Sequence, residues 1–144
     1  MTQVERQLLL VDLCTRLPYD VNVLDDMGRV YKLQLGNSYL IDLFYGNGDY
    51  VEAPIRPYLR SMSSMTDEEF DELISNCPMG YSNDASTYEY YGVKILGHSW
   101  YGTIFYNDYD AINWLNAHHF DYRGLIEKGL ALEAHEGMYN NLIT

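Results

Sequence analysis

The four histidines are the side chains best suited to hold a metal ion or to move a proton. They are His98, His118, His119 and His135. Adjacent residues on a helix point about 100° apart, so His118 and His119 cannot share one ligand face. A metal site would need His98 or a carboxylate brought in by folding. The alternative is that one histidine contacts the C-terminal end of a helix, where its charge suits the dipole, and the other packs. We predict no metal site and no cofactor.

Three further patterns resemble catalytic or ligand-binding motifs, and each lacks an essential position. A nucleophile elbow requires Gly-x-Ser-x-Gly, but residues 97–102 place Tyr101 where the last glycine belongs. Residues 108–110 begin like a calcium loop, yet His119 stands at the position of the bidentate glutamate. Residues 46–48 lack the lysine and the following helix of a phosphate loop. We therefore predict no catalytic residue.

Tyrosine and negative charge are concentrated in the same part of the chain. Fifteen of the 144 residues are tyrosine, and the net charge is −12. Residues 66–110 hold nine acidic residues against Lys94 alone. Such a surface repels phosphate backbones, which disfavours direct binding of nucleic acid. It suits a partner rich in lysine and arginine, through ion pairs and cation–π contacts.

We therefore predict a partner-binding surface made of acidic and aromatic side chains: Asp84, Tyr88, Glu89, Tyr90, Tyr91, Trp100, Tyr101, Asp108, Tyr109 and Asp110. Tyr88 and Tyr90 would share one face of a strand. The alternative interpretation is that the charge confers solubility and that the tyrosines pack on a sheet with their hydroxyls in water.

The apolar runs are too short to enter a membrane. The longest, residues 8–11, falls far below the roughly 20 residues that a membrane helix needs. No cleavable signal peptide is evident at the N-terminus. We expect a cytoplasmic protein without membrane contact, in which Cys14 and Cys77 are reduced and buried.

Helix signals occur in three places. Residues 2–5 fit a capping box, and Pro18 ends the helix that follows. Residues 66–69 form a second capping box, with a helix that ends near Cys77. A third helix is predicted to run to about His118, with Asn107 or Asp108 as its N-terminal cap.

Alternating apolar residues and turn signals predict several short strands: residues 21–23, 30–35, 39–45, 88–96 and 101–106. Pro54 and Pro57 are expected to interrupt the ladder, because proline cannot donate to it. After Phe120 the sequence predicts a helical turn followed by a strand or loop. Residues 137–144 are expected to be loosely held.

These elements predict an α+β fold in a single domain spanning residues 1–144. We expect an antiparallel sheet of about five strands, with about three helices covering one face.

Two stretches carry a resemblance. Residues 54–69 (PIRPYLRSMSSMTDEE) are one, and residues 112–126 (INWLNAHHFDYRGLI), continuing through 129–134 and 137–139, are the other. They resemble short hypothetical proteins of gut bacteroidete genomes and their phages or mobile elements. The resemblance implies a bacterial or phage, cytoplasmic setting. It carries no activity, cofactor or catalytic residue, although His118, His119, Asp121 and Arg123 are shared.

Three functional hypotheses remain open. The leading one is a non-enzymatic accessory protein that binds a basic protein, such as a nucleic-acid-binding protein, through the acidic tyrosine-rich segment 81–110. The second is an enzyme or small-ligand protein with a pocket near these residues: His118, His119, Asp121, Tyr122 and Arg123. The third is a self-assembling structural component of a phage. The sequence leaves the oligomeric state open.

Overall fold

The computed structural model confirms the α+β class. It describes residues 1–46, 50–75, 89–90, 93–94 and 108–139. The helices are α1 (Gln3–Arg16), α2 (Ser38–Tyr45), α3 (Asp67–Ser75) and α4 (Asp108–Ala117). The strands are β1 (Asn22–Asp25), β2 (Val30–Lys32), β3 (Ile55–Leu59), β4 (Glu89–Tyr90), β5 (Val93–Lys94) and β6 (Leu132–Glu133).

The main sheet is mixed, whereas an antiparallel sheet of about five strands was predicted. Its order is β2-β1-β3-β6. β1 pairs antiparallel with both β2 and β3, but β3 pairs parallel with β6. A parallel pair needs a long crossover connection, and here α3 and α4 lie in the chain between its two strands. β4 and β5 form a separate antiparallel pair within the predicted strand 88–96.

The predicted strand over residues 39–45 is wrong, because this segment forms helix α2. Asn37 caps the helix by accepting a 3.1 Å hydrogen bond from the Leu40 amide. Gly46 ends it in the left-handed conformation at φ 69° and donates to the Asp42 carbonyl. A short, almost continuous apolar run has no decisive period, so the caps at its two ends identify the helix.

Pro57 lies inside β3 and does not interrupt it. The Ala134 amide donates to the Leu59 carbonyl, so Leu59 faces β6, and Pro57, two residues earlier, faces the same side. Pairing with β6 begins only at Tyr58. The nitrogen of Pro57 therefore faces a position before the start of β6, so its lack of an N–H removes no hydrogen bond from the ladder.

Both predicted capping boxes are confirmed. In α1, the Glu5 amide donates to Thr2 Oγ1 at 3.0 Å, and the Thr2 amide donates to Glu5 Oε1 at 2.8 Å. In α3, Thr66 and Glu69 make the same reciprocal pair at 3.0 and 3.1 Å. α4 begins at Asp108, as predicted.

The core has two parts. One lies between α1, α2 and the main sheet, where the buried side chains include Leu9, Leu13, Val23, Leu43 and Ile55. The other lies around α3 and α4, where they include Met65, Phe70, Leu73, Trp114 and Phe120.

Two predictions about burial are wrong. Cys14 is exposed on α1 and was expected to be buried; Cys77 lies outside the described residues. Tyr139, expected in a loose terminus, is 6% exposed and held by hydrogen bonds. Residues 140–144 lie outside the described part of the chain.

Candidate functional site

The predicted partner-binding residues are described only in part. Asp84, Tyr88, Tyr91, Trp100 and Tyr101 lie outside the described residues. Of the remaining five, Glu89 and Tyr90 form β4, and Asp108, Tyr109 and Asp110 are the first residues of α4. Instead of the single strand predicted over residues 88–96, the structure has the short paired strands β4 and β5, whereas α4 begins near Asp108 as expected.

The second predicted site, around residues 118–123, contains a buried network of charges. The Asp12 carboxylate receives 2.8 Å contacts from Arg16 Nε and from Arg123 Nη1. Asp12 and Arg16 are both fully buried, and Arg16 also donates to the Phe120 carbonyl at 2.7 Å. Since α1 supplies Asp12 and Arg16, this network fixes the loop after α4 against α1.

The neighbouring polar groups also bond within the protein. Asp121 accepts hydrogen bonds from the amides of Leu125 and Ile126 at 2.8 and 2.9 Å. Burial raises the pKa of Asp121 despite these bonds. The Tyr122 hydroxyl donates to Asn116 Oδ1 at 2.9 Å. These hydrogen bonds hold the loop after α4 in place, so Asp121 and Tyr122 have a structural role.

His118 lies at the C-terminal end of α4. Its ring stacks on Trp114 with centroids 3.9 Å apart, and Nδ1 is 2.9 Å from the Trp114 carbonyl. Nε2 is 4.0 Å from Glu72 of α3. This placement agrees with the prediction that one histidine contacts a helix end while the other packs in the interior.

His119 is the histidine that packs. It is fully buried and adopts a left-handed backbone at φ 64°, which is unusual for a non-glycine residue. Its ring stacks on Tyr139 with centroids 3.7 Å apart. Neither ring nitrogen has a hydrogen-bond partner among the described residues. Burial, followed by the positive charge of Arg16, lowers the pKa of His119 to about 3.

Tyr139 joins two strands at the end of their ladder. Its hydroxyl donates to the Tyr58 carbonyl at 2.7 Å and accepts from the Asn22 amide at 3.0 Å. The β1–β3 register pairs Val23 with Pro57, so Asn22 and Tyr58 would form the next pair. The hydroxyl thus replaces a direct bond between strands. Burial raises the pKa of Tyr139 to about 12.

An open groove lies beside this tyrosine, with a volume of about 570 Å³. We call it the acidic groove. Arg60 lies at its base, and one wall is the first half of α3, with Glu68, Glu69 and Glu72. The opposite wall follows β6 and comprises residues 133–137 and Tyr139. The two walls contribute five glutamates, of which Glu133 and Glu136 come from the second.

The charges in the acidic groove are unevenly balanced. Arg60 makes a bidentate ion pair with Glu69, with N···O distances of 2.6 and 2.7 Å. The same guanidinium lies 4.2 Å from the Phe120 ring centroid. Burial favours a raised pKa for Glu69, but hydrogen bonds from Arg60 and from the Thr66 backbone lower it overall. Glu68, Glu133 and Glu136 are exposed on the walls.

The acidic groove was not predicted from the sequence. The acids at the start of α3 suit the positive end of the helix dipole, so a structural role already accounts for them. Glu133 and Glu136 lie more than 60 positions further along the chain. No local pattern links them to α3, because the parallel β3–β6 pairing places them opposite it.

No group of three or more His, Cys, Asp or Glu side chains in the described part could hold a metal ion. None of the helices in that part is long and apolar enough to cross a membrane. Comparisons with protein-family models, with curated proteins and with solved structures each find no match to this chain.

Proposed function

We propose that this chain is a non-enzymatic accessory protein that binds a basic partner protein, and that the acidic groove is part of its binding surface. The observation that carries the proposal is the meeting of five glutamates from two distant segments around one groove, against Arg60 and His135. A concave surface with excess negative charge attracts lysine and arginine side chains and raises the rate of encounter.

The overall charge supports the same partner chemistry. The chain carries a net charge of −12, and residues 66–110 carry most of the excess. α3 supplies one wall of the groove and also begins this acidic segment. The groove and the predicted tyrosine-rich surface could therefore engage one extended basic partner. A nucleic-acid-binding protein fits, because the acidic residues would take the place of phosphates.

The resemblance to proteins of bacteroidete phages and mobile elements supports a cytoplasmic setting for this interaction. The partner would then be a basic protein of the bacterial host. The bacterial setting depends on the resemblance, whereas the groove depends on the fold alone.

The groove can be tested with a defined probe. We expect a lysine- and arginine-rich peptide, titrated by calorimetry at low salt, to bind the native chain. The triple variant Glu68→Gln, Glu133→Gln, Glu136→Gln should bind about tenfold more weakly, because each exposed ion pair contributes roughly 0.5 kcal/mol. Added salt should weaken binding to the native chain by screening.

A matched variant removes the same charge elsewhere. Asp20→Asn, Glu52→Gln, Glu127→Gln changes three exposed acids that do not line the acidic groove. It should bind the peptide nearly as well as the native chain. Equal losses in both triple variants would mean that net charge, and not the groove, attracts the peptide.

The tyrosine-rich segment needs its own test. Reversing the charge of Asp84, Glu89, Asp108 and Asp110 to lysine should abolish capture of the partner without unfolding the domain. Capture would use tagged protein and a bacterial lysate at low and high salt, with identification by mass spectrometry. Unchanged capture by the folded variant would exclude this segment from the binding surface.

A further inference from the structure

His119 contacts two residues that line the acidic groove. Its backbone carbonyl accepts a 2.7 Å hydrogen bond from the amide of Arg60, at the base of the groove. Its ring stacks on Tyr139, in the opposite wall, at an interplanar angle of 17°. A change in the charge of this imidazole therefore acts on the wall that Tyr139 anchors.

The surroundings of His119 favour the neutral imidazole over the protonated one. The positive charges of Arg16 on α1 and of Arg60 after β3 oppose protonation of its ring, as does His118 at the end of α4. The carboxylates of Asp12 and Glu69 are already bonded to the two arginines. A protonated ring would carry two N–H donors with no acceptor among the described residues, next to two guanidinium groups.

The wall that Tyr139 anchors is the more weakly held side. We call residues 134–139 the C-terminal wall. β6 pairs with β3 through two residues; beyond this pair, the Ala134 amide donates to the Leu59 carbonyl, and the His135 ring contacts the Tyr58 ring edge-on. Gly137, at φ 86°, bends the chain before Tyr139. By contrast, the Arg16 side of His119 is fixed by the buried network around Asp12.

We propose that His119 is a proton-operated latch on the C-terminal wall. The neutral ring holds Tyr139 against the sheet, and protonation releases residues 134–139 while the rest of the fold remains. Release opens one side of the acidic groove and moves Glu136 away from α3. That consequence for binding rests on the proposed function, whereas the latch itself does not.

Amide hydrogen exchange on the whole chain, followed by NMR and corrected for intrinsic rates, tests the latch. The Asn22 amide is the direct reporter, because it donates to the Tyr139 hydroxyl. The Leu33 amide donates to the Val21 carbonyl and serves as an internal reference. Below about pH 6.5, opening at Asn22 should rise by up to about tenfold per pH unit, because the opened wall exposes the His119 ring to water and so favours its protonation. Leu33 should show no such slope.

Two variants separate His119 from the carboxylates of the groove. His119→Asn suits the left-handed backbone, and His119→Phe keeps an aromatic ring on Tyr139. Either one, if folded, should remove the pH dependence at Asn22. A flat profile in the native chain would overturn the latch, as would an equal slope at Leu33 or a slope that persists in these variants. The measurement uses no ligand, so its outcome is independent of whether the acidic groove binds a basic peptide.

Discussion

The hydroxyl of Tyr139 donates a 2.7 Å hydrogen bond to the carbonyl of Tyr58, 81 residues earlier in the chain. The same oxygen accepts from the Asn22 amide, so one side chain joins β1 to β3 beyond their last ladder pair. A residue near the end of the chain therefore completes the centre of the sheet.

Removal of this hydroxyl should destabilise the fold. Tyr139→Phe leaves the Asn22 amide and the Tyr58 carbonyl without their partner, which costs about 1–3 kcal/mol. Urea unfolding followed by circular dichroism measures the loss. Tyr45→Phe is the matched control, because Tyr45 is 68% exposed, and its change should stay within about 0.5 kcal/mol. Equal stability of the two variants would contradict the bridging role.

The buried Asp12 network should be sensitive to the loss of one partner. Asp12→Ala leaves the fully buried Arg16 without its carboxylate, and we expect a loss of about 3–5 kcal/mol in the free energy of unfolding. The double variant Asp12→Leu, Arg16→Met removes both charges and should be more stable than Asp12→Ala. Denaturant unfolding of the two variants tests this order, and the reverse order would show that Arg16 stabilises the fold even without Asp12, through contacts such as its bond to the Phe120 carbonyl.

Stability should fall as the solution is acidified below about pH 6.5. The pKa of His119 is lowered to about 3 in the fold, from a reference value of 6.5. The unfolded chain therefore binds the proton first. The stabilisation is complete above pH 6.5 and is lost progressively as the pH falls towards 3. By pH 5 the loss is about 2 kcal/mol.

Urea unfolding at pH 7, 6 and 5 measures this linkage. His119→Asn provides the control, because the variant lacks the titrating ring. Its stability should change less than that of the native chain over the same interval. Parallel changes in the two proteins would assign the acid sensitivity to carboxyl groups.

The glycine that ends α2 should be harder to replace than a nearby glycine. Gly46 has φ 69°, and an added Cβ would lie 2.6 Å from Arg6 Nη1. Because that atom ends a flexible side chain, the left-handed backbone sets most of the cost of Gly46→Ala, about 1 kcal/mol. Gly36→Ala meets no atom within 4 Å and should be nearly neutral. Thermal unfolding compares the two variants, and similar melting temperatures would argue against the observed C-terminal cap of α2.

Capping boxes predicted helices correctly in this chain, whereas a short apolar run did not distinguish a helix from a strand. The helices α1 and α3 were predicted because Thr2 with Glu5, and Thr66 with Glu69, are three residues apart and form local hydrogen bonds. The prediction for α2 failed because its apolar run fits a buried strand as well as a helix. The helix signal lay in the two cap residues, Asn37 and Gly46, which are also common turn residues.

Local sequence patterns predicted the candidate sites less well than they predicted the helices. The sequence indicated that acids cluster after Thr66 and that His118 and His119 follow a helix. It gave no indication that Glu133 lies across a groove from α3, or that Arg123 reaches Asp12, 111 residues away.

The sequence by itself therefore determined the α+β class, the capped helices, the start of α4 and the concentration of negative charge. Each of these depends on residue type or on contacts within a few positions. Only the tertiary structure decided the parallel β3–β6 pairing, the acidic groove and the burial of His119 against Tyr139. These features depend on contacts between distant segments, and many chain paths are compatible with the same local pattern.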